Sequence, residues 1–480
     1  MDKNLSTENA AEPPLPDRYR EVLALMKEGR KRIAEERSRE LLAETPTDGD
    51  AMALLASIIV ENGQFEEAEG LLRHSLKLMP TEPTPWINLG RLLQQTGRWG
   101  EALEHYRHAA NLFPAHPGIA ATLGQLYQRA SRFADAEAEY RRALEHKPLP
   151  TYHMQLGMVL LRQDRTDEAI EALQTAIALN PKLAAAYGNL GNAEQKRGNI
   201  EAAAAAYEKA VALNPKDTLS YVSFGMARLK LGAAREAAEI FERTLAVHGP
   251  ERRAAAWLPF ARAQEFGDMP AGYRAELGKL IGRTTLTPPD GYASLADLNI
   301  ALAAALAEDP TVAWEPLGKA TRKGGQTGLL LDAPREPFIA FEKALRRAID
   351  AHFDGIEREP RHPFRSQIPK TYHLDLWGTL LSEGGHQHSH IHVGGWMSGV
   401  YYVALPPALG KGEGSHDGWI EFGHPPPEFD AKFEPKTIAY EPREGDALFF
   451  PSYLFHRTLP FSGDVQRISL AFDVKPTSWR

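Results

Sequence analysis

Four of the seventeen histidines lie within seven residues, a spacing that suggests metal chemistry. They are His386, His388, His390 and His392. Side chains of an extended strand alternate between its two faces, so these four residues would share one face. Two imidazoles at positions i and i+2 can hold one metal ion, and a third ligand must then come from elsewhere. His456, which follows the strand-like run DALFFPSYLF, is the candidate for that ligand.

The chain of 480 residues contains no cysteine, which restricts the metal chemistry. Thiolate-held zinc, cysteine-held iron–sulfur clusters, a cysteine nucleophile and a disulfide framework are excluded. Any metal must therefore be held by His, Asp or Glu. The formal net charge of −8 argues against a general nucleic-acid binder, because such a protein carries a basic surplus. The sequence lacks GxGxxG, P-loop and G-x-S-x-G patterns, which disfavours nucleotide and acyl-serine chemistry.

The elements that must position the histidines are short strands that begin after about residue 360. Apolar runs separated by Gly, Pro and Asp predict six or more strands: TYHLDLWGTLL, MSGVYYVAL, GWIEFG, TIAYEP, DALFFP and RISLAFDV. Short strands at close spacing predict a β-sandwich, jelly roll or barrel. Alternation along the last strand places Arg467, Ser469 and Ala471 on one face.

The first half of the chain is an internal repeat of about 34 residues. Proline recurs at Pro46, Pro80, Pro114, Pro148, Pro181, Pro215 and Pro250, with alanine and glycine in phase. One unit reads WINLG from Trp86, followed by Ala102, Tyr106 and Ala109. This pattern resembles the tetratricopeptide repeat, a helix–turn–helix hairpin, over about residues 17–250. The resemblance implies an all-α solenoid whose first helices line a concave face.

Two rows of side chains on the first helices are candidates for peptide binding. One row carries uncharged hydrogen-bonding groups: Asn88, Thr122, Gln155, Asn189 and Ser223. The second row, two turns along the same face, is basic: Arg129, Arg162, Lys196 and Lys230. The first row would hold an extended peptide backbone, and the second would attract acidic side chains. A solvated helix face would carry polar residues in any case, so this alternative stays open.

The C-terminal strands resemble the 2-oxoglutarate- and iron(II)-dependent oxygenases over about residues 310–475. The resemblance rests on HIHVGGWMSGVYYVALP, GDALFFPSYLFHRTLP and QRISLAF, which match one bacterial and phage branch in order and spacing. It implies a double-stranded β-helix, a form of jelly roll, that binds Fe(II). The residues at the ligand positions are His390, His392 and His456.

The same resemblance implies a site for the cosubstrate 2-oxoglutarate. In this family an Arg or Lys about ten residues beyond the distant His binds the oxoglutarate carboxylate, and Arg467 occupies that position. A guanidinium offers a planar, bidentate fork for a carboxylate. Ser469 can add a hydroxyl donor, and Tyr402 can also reach the cosubstrate. Fe(II) and 2-oxoglutarate are thus the implied cofactors, with ascorbate as a candidate addition.

One departure from the family concerns His392, because a carboxylate usually stands at this position. His392 can itself be a ligand, which gives a three-histidine site, or a carboxylate can come from elsewhere. The nearby candidates are Asp375, Glu383 and Asp446. The pair His388 and His390 is a further alternative, although its spacing to SGVYY fits less well.

We therefore expect a multidomain α + β protein with four parts. These are a disordered lead-in (1–16), a tetratricopeptide-repeat solenoid (17–250), a helical cap or linker (251–310) and an oxygenase domain (311–480). The expected function is a dioxygenase that hydroxylates a protein or peptide held in the solenoid groove. Three alternatives stay open: a small-molecule oxygenase whose repeats serve assembly, a non-catalytic scaffold with a vestigial metal site, and metal sensing or storage by the histidine tract.

The N-terminal residues lack the apolar core of a signal peptide. No stretch approaches the ~18 uninterrupted apolar residues of a membrane span. We accordingly expect a cytoplasmic protein with neither a membrane nor a nucleic acid as its partner.

Overall fold

The computed structural model describes residues 19–316, 318–360, 362–407, 409, 415–463 and 465–479. Within this range the chain divides between Asn214 and Pro215 into two compact units. The lead-in predicted for residues 1–16 lies outside the described residues. The other predicted domain boundaries stay predictions.

The first unit is built from helix–turn–helix pairs, as the repeat predicts. Its helices are α1 (Arg20–Lys27), α2 (Lys31–Glu44), α3 (Gly49–Glu61), α4 (Phe65–Leu78), α5 (Pro83–Gln95), α6 (Trp99–Leu112), α7 (Pro117–Arg129), α8 (Phe133–His146), α9 (Pro150–Arg162), α10 (Thr166–Leu179), α11 (Ala184–Arg197) and α12 (Ile200–Leu213). The in-phase prolines lie just beyond the second helix of a pair, as Pro80 does after α4. Proline lacks an N–H and clashes with the preceding turn, so the helix stops there.

Glycine in the first helix of a pair allows an aromatic ring of the second helix to approach closely. A Cβ atom at Gly90 would lie 2.3 Å from Cε2 of Tyr106, and one at Gly191 would lie 2.5 Å from Cε1 of Tyr207. Both tyrosines are buried. Since real carbon atoms do not approach so closely, a larger residue would force the helices apart. The close crossing of two helices thus explains the glycine at these two positions of the repeat.

The second unit begins with another helix pair and continues into a sheet. Its helices are α13 (Thr218–Lys230), α14 (Ala234–His248), α15 (Arg252–Phe266), α16 (Tyr273–Leu280), α17 (Leu295–Ala307) and α18 (Phe338–Asp354). Its strands are β1 (Gly282–Thr285), β2 (Ala313–Trp314), β3 (Thr321–Gln326), β4 (Pro369–His390), β5 (Met397–Ala404), β6 (Ile420–Phe422), β7 (Ile438–Tyr440), β8 (Asp446–Pro451), β9 (His456–Thr458) and β10 (Arg467–Trp479). All six apolar runs of the sequence contribute a strand.

The strands form an antiparallel sheet in the order β1-β8-β5-β10-β4-β9-β6-β7, with β3 also paired to β4. The long strand β4 belongs to both parts of this sheet. Residues 369–381 pair with β10, whereas Gln387 and His390 pair with β9. This long antiparallel sheet of non-consecutive neighbours agrees with the architecture of a jelly roll. The structure therefore confirms the expected fold class, a helical repeat solenoid followed by a jelly roll.

Helices cover the outer side of the sheet and support its core. The ring of Phe341 on α18 lies 4.8 Å from that of Tyr401 on β5, measured between ring centroids. The Tyr401 hydroxyl donates to Oδ1 of Asn299 on α17 at 2.7 Å. On another side, Trp257 of α15 packs edge-on against Phe455, next to His456. Among all the described helices, none has both the length and the apolar character needed to cross a membrane.

Candidate metal centre

Three imidazole rings converge where β4 and β9 meet. His390 ends β4 and His456 begins β9, and the sheet register pairs these two residues directly. His392 lies two residues beyond the end of β4, and its Nε2 atom is 3.2 Å from Nε2 of His390. One ring nitrogen from each histidine lies within 4.8 Å of the other two. The tertiary structure thus brings together the three histidines that the sequence singles out.

Hydrogen bonds determine which nitrogen of each ring is free. Nδ1 of His390 lies 2.7 Å from the carbonyl oxygen of His388, and Nδ1 of His456 lies 3.0 Å from that of Leu454. A carbonyl oxygen only accepts, so both Nδ1 atoms must carry the proton. In a neutral ring, Nε2 then has an unshared electron pair. Nε2 is therefore the atom that each of these rings offers to a ligand.

Burial keeps two of the rings neutral near pH 7. It lowers the pKa of His390 to about 4, and the neighbouring His392 adds to this effect. Burial also lowers the pKa of His456 well below its ordinary value. Neutral imidazoles that direct electron pairs at one point repel each other unless a cation lies between them. The arrangement therefore fits a metal ion held by nitrogen ligands.

The third ring has a different partner, which the sequence analysis did not identify. Nδ1 of His392 lies 2.6 Å from Oδ1 of Asp473 on β10. The Ser398 hydroxyl donates to the same oxygen at 2.6 Å. Burial by itself would raise the pKa of Asp473, but His392, Ser398 and Lys475 together hold it below its ordinary value. Asp473 is therefore a carboxylate beside the histidines, bound to the outer nitrogen of one ring.

The alternation of β10 contains the signal that would have found Asp473. Alternation places Arg467, Ser469 and Ala471 on one face of the strand, and the next residue on that face is Asp473. All four residues line the same cavity of about 460 Å³ as the three histidines. One further step along the strand would have added this carboxylate to the candidate residues.

Arg467 lies in this cavity and has no acidic partner among the described residues. Its side chain is 2% exposed, and its Nε atom has no hydrogen-bond partner. Its Nη1 atom donates to the Ser469 hydroxyl at 3.4 Å. Burial lowers the pKa of the guanidinium, and the nearby Tyr402 counteracts this. A buried cation of this kind needs an anion, and no carboxylate of the described residues is paired with it.

Tyr402 lies next to Arg467. The guanidinium carbon is 5.2 Å from the centroid of the tyrosine ring. The register of β10 with β5 places Tyr402 directly opposite Ser469. The Tyr402 hydroxyl is buried and makes no hydrogen bond that satisfies distance and angle. Burial raises its pKa to about 12, so the hydroxyl keeps its proton and can donate it.

Two of the four clustered histidines lie apart from the other two. His386 and His388 face each other, with ring centroids 4.9 Å apart, and neither lines the cavity. The expected common face is absent because the pairing of β4 is irregular on both sides of this segment. Register shifts occur between Leu381 and His386 and between Gln387 and His390. Such irregularities interrupt the alternation of side chains along a strand.

The alternative carboxylates lie outside the group of three histidines. Asp375 is paired with Lys475 and lies 3.1 Å from Nε2 of His373. Asp446 accepts from Arg283 at 2.6 Å and from the Thr285 hydroxyl at 2.5 Å. Glu383 is exposed.

The candidate peptide-binding residues lie on the first helices of their pairs. The uncharged row, comprising Asn88, Thr122, Gln155, Asn189 and Ser223, is half-buried, and the basic row, comprising Arg129, Arg162, Lys196 and Lys230, is exposed. Several members already have partners within the protein. The Arg129 guanidinium lies 3.9 Å from the Trp99 ring centroid, and Nζ of Lys196 lies 2.6 Å from Oδ1 of Asp164. Peptide binding by these rows stays a prediction.

Comparison with protein families identifies both parts of the chain. Residues 375–473 match the family described as "Putative 2OG-Fe(II) oxygenase". Residues 19–83, 121–184 and 154–218 match one tetratricopeptide-repeat model, and residues 81–148 match a second. These matches confirm both resemblances. Tetratricopeptide repeats generally mediate contacts between proteins, and a domain of the oxygenase family suggests oxidoreductase activity.

Similar solved structures include several helical repeat proteins. The APC/C hetero-tetramer Cut9–Hcn1 is 21% identical, with coverage of 50% of this chain and 48% of that one and a TM-score of 0.42. MamA is 28% identical over 33% of this chain and 93% of that one, with a TM-score of 0.32. YrrB is 20% identical over 38% of this chain and 95% of that one, with a TM-score of 0.34. This chain thus spans about half of the first of these. No curated protein matches the sequence.

Proposed function

Because the chain combines tetratricopeptide repeats with a domain of the 2OG-Fe(II) oxygenase family, we propose that it is an iron(II)- and 2-oxoglutarate-dependent dioxygenase. Its substrate would be a protein or peptide that the repeats recruit, and its reaction would be hydroxylation. Groups that line one cavity support the reaction class, the metal ligands and the anchor of the cosubstrate.

The observation that carries the proposal is a set of converging groups that line one cavity. One ring nitrogen from each of His390, His392 and His456 lies within 4.8 Å of the other two, and the buried Arg467 lines the same cavity with an Nε atom that no described residue hydrogen-bonds. A divalent metal would satisfy the imidazoles, and a dicarboxylate would satisfy the guanidinium. Iron(II) with 2-oxoglutarate provides both charges at once. The residues therefore fit the cofactors that the family implies.

The chain's own residues would hold and orient both cofactors. His390, His392 and His456 would bind the metal through Nε2, since the Nδ1 atoms of His390 and His456 are engaged by carbonyl oxygens. Arg467 would bind the far carboxylate of the cosubstrate, and the hydroxyl groups of Ser469 and Tyr402 would donate to it. With both cofactors bound, dioxygen would be the oxidant and 2-oxoglutarate the co-reductant in the chemistry that breaks a substrate C–H bond.

Support for a protein substrate comes from the repeats. They occupy residues 19–218, a large part of the chain, and such repeats usually bind other proteins. The basic row favours acidic segments in the partner, because exposed Arg and Lys side chains attract carboxylates. This part of the proposal is independent of the metal site and can fail separately from it.

Succinate formation from 2-oxoglutarate tests the reaction class. The full chain would be assayed with Fe(II), ascorbate and air, beside His456→Ala and Arg467→Ala. Uncoupled turnover by the wild type should be abolished in the first variant and reduced in the second. Arg443→Ala, which removes an exposed arginine paired with Glu441, is the matched control and should retain activity. Equal rates in all four proteins would contradict the proposal.

Charge reversal in the repeats tests the recruitment of a protein. The double variant Arg129→Glu and Arg162→Glu would be incubated with a soluble proteome, and peptides that gain one oxygen atom would be identified by mass spectrometry. Wild-type protein should produce oxygenated peptides that this variant does not, while uncoupled succinate formation remains the same. Oxygenation of a small metabolite by both proteins would favour the rival in which the repeats serve assembly.

A further inference from the structure

We propose that Asp473 is a positioning residue of the metal centre, which makes the His392 imidazole a metal ligand through Nε2. This carboxylate would then act through a histidine instead of binding the metal itself. The inference rests on the proposed function, because it assumes that His390, His392 and His456 hold a metal ion. It assigns a role to a residue that neither the sequence analysis nor the family match had singled out.

The sheet register builds the contact between Asp473 and His392. Asp473 on β10 lies directly opposite Ser398 on β5, and the two side chains share one face of the sheet. The Ser398 hydroxyl donates to Oδ1 of Asp473 at 2.6 Å, and this oxygen also lies 2.6 Å from Nδ1 of His392. The Ser452 hydroxyl lies 3.0 Å from that of Ser398. The carboxylate is thus held by neighbours that limit its rotation.

Close packing leaves little room for another arrangement. The Asp473 side chain is buried, with 8% of the residue exposed. A Cβ atom at position 395 would lie 2.6 Å from the Ser452 hydroxyl and 3.2 Å from Cγ of Asp473, so glycine is required there. The turn between His392 and β5 therefore passes directly over the carboxylate. This packing keeps Asp473 within hydrogen-bond distance of the ring.

The acceptor on His392 differs from those on the other two rings. His390 and His456 each donate Nδ1–H to a neutral backbone carbonyl, whereas His392 faces a carboxylate. A carboxylate fixes the proton on Nδ1, orients the ring and makes the opposite nitrogen a stronger donor to metal. It also places a negative charge next to the centre. Acting through His392, Asp473 would thereby supply the negative charge of the carboxylate that the oxygenase family usually has at the position of His392.

The alternative explanation is that Asp473 only accepts hydrogen bonds from buried hydroxyl groups. Under that explanation, its removal would weaken the fold but leave metal affinity unchanged. The two explanations therefore differ in a binding constant, which can be measured without any turnover. Co(II) is a suitable probe because its visible absorption reports on the ligands that surround it.

The experiment titrates metal-free full-length protein with Co(II), followed by absorption and calorimetry. Asp473→Asn keeps the size of the side chain but can offer an N–H to Nδ1 of His392. We expect the dissociation constant for Co(II) to rise about ten- to a hundredfold, with a changed visible spectrum. Ser398→Ala leaves the carboxylate–imidazole contact in place. It should raise the dissociation constant for Co(II) by less than Asp473→Asn does.

Asp446→Asn is the matched control. It neutralises another buried carboxylate of the same sheet, one that is bound to Arg283 and Thr285 and not to a histidine. This variant should lower the melting temperature yet bind Co(II) as the wild type does. Unchanged Co(II) affinity and spectrum in Asp473→Asn would overturn the inference and leave Asp473 a purely structural role. Failure of the wild type itself to bind Co(II) would instead overturn the metal centre of the proposed function.

A second measurement uses the wild type and does not depend on a variant of Asp473 folding. In Zn(II)-loaded protein with ¹⁵N-labelled histidine, NMR reports which ring nitrogen carries the proton. The His392 resonances would be assigned by their absence from the spectrum of His392→Gln. A proton on Nδ1 with Nε2 bound to metal is the expected state. A proton on Nε2 of His392 would overturn the inference.

Discussion

Positive charge occurs in two very different settings in this protein, the basic row of the repeats and the cavity of the jelly roll. On the repeats, Lys196 is paired with Asp164, and Arg129 lies over the ring of Trp99. In the cavity, Arg467 is buried and has no acidic partner among the described residues. The first two charges are exposed and already have partners, whereas the third is buried and faces no carboxylate of the described residues.

This difference shows which kind of group argues for a ligand. An exposed cation with a partner changes the free energy of folding little. Its presence is therefore compatible with peptide binding or with solubility alone. A buried cation without a partner is costly, so a fold retains it only where something supplies the missing charge. The same reasoning applies to the three converging imidazoles. The cavity thus argues for its cofactors more strongly than the basic row argues for a peptide.

The largest expected effect is the loss of metal binding in His390→Ala. This change removes one of three converging nitrogens, so Co(II) affinity should fall by at least the ~100-fold that changes in outer partners can reach. Calorimetry on metal-free protein would measure it. His386→Ala, in the same strand but outside the cavity, should bind Co(II) normally. An equal loss in both variants would mean that the histidine tract binds metal without a defined site.

The next largest effect is expected for Arg467→Met. Without cosubstrate, the free energy of unfolding should rise by about 1–4 kcal/mol, because a buried charge is replaced by an apolar side chain. Saturating 2-oxoglutarate should stabilise the metal-loaded wild type by about 2.7 kcal/mol at a hundred times its dissociation constant. The variant should lack that gain.

Urea denaturation with and without 2-oxoglutarate would provide both values for Arg467→Met. The control Arg443→Met alters an exposed arginine and should change neither quantity. A cosubstrate-free variant less stable than the wild type would show that the guanidinium has a stabilising partner within the protein. The contrast with the basic row would then disappear.

The stability of the metal-free protein should fall on acidification below about pH 6.5. His390 has a folded-state pKa of about 4, below the ordinary value of 6.5, so the unfolded chain binds a proton that the folded chain does not. The contribution of neutral His390 to the free energy of unfolding is therefore fully present above pH 6.5, and it is lost progressively as the pH falls toward 4. The slope is at most about 1.4 kcal/mol per pH unit for each such group.

Urea denaturation across that pH range, with a chelator present, measures the slope. His456 has its pKa lowered in the same direction and should add to the effect. The variant His390→Ala should show a shallower slope than the wild type. Identical slopes in the two proteins would indicate that the folded state protonates this ring as readily as the unfolded chain does.

The smallest effect is expected in the basic row. Lys196→Ala removes an exposed ion pair and should lower the free energy of unfolding by less than about 1 kcal/mol. Gly191→Ala, in the same helix, should cost about 1–3 kcal/mol, because its Cβ would meet the Tyr207 ring. Thermal denaturation of both variants makes the comparison. A larger cost for Lys196→Ala would mean that the basic row is part of the fold's support.

Much of the candidate site could be predicted from the sequence, for reasons specific to each residue. His390, His456 and Arg467 lie in or beside apolar runs whose alternation and order are visible without a structure. Asp473 lies on the same face of β10 as Arg467, Ser469 and Ala471, so the alternation of that strand predicts its position too. The separation of His386 and His388 from the site could not be predicted, because it depends on irregular pairing of β4 with its neighbours.

The sequence by itself determined the helical repeat, the strand-rich second part and the identity of the converging histidines. These features are local or periodic, and local spacing expresses them directly. Only the tertiary structure decided which carboxylate lies beside His392 and that Arg467 has no partner among the described residues. Those facts depend on register between strands that are distant in sequence, as in the pairing of Asp473 with Ser398. Burial of one face of each strand and the geometry of the connecting segments set that register, and the spacing of residues along a single strand does not determine it.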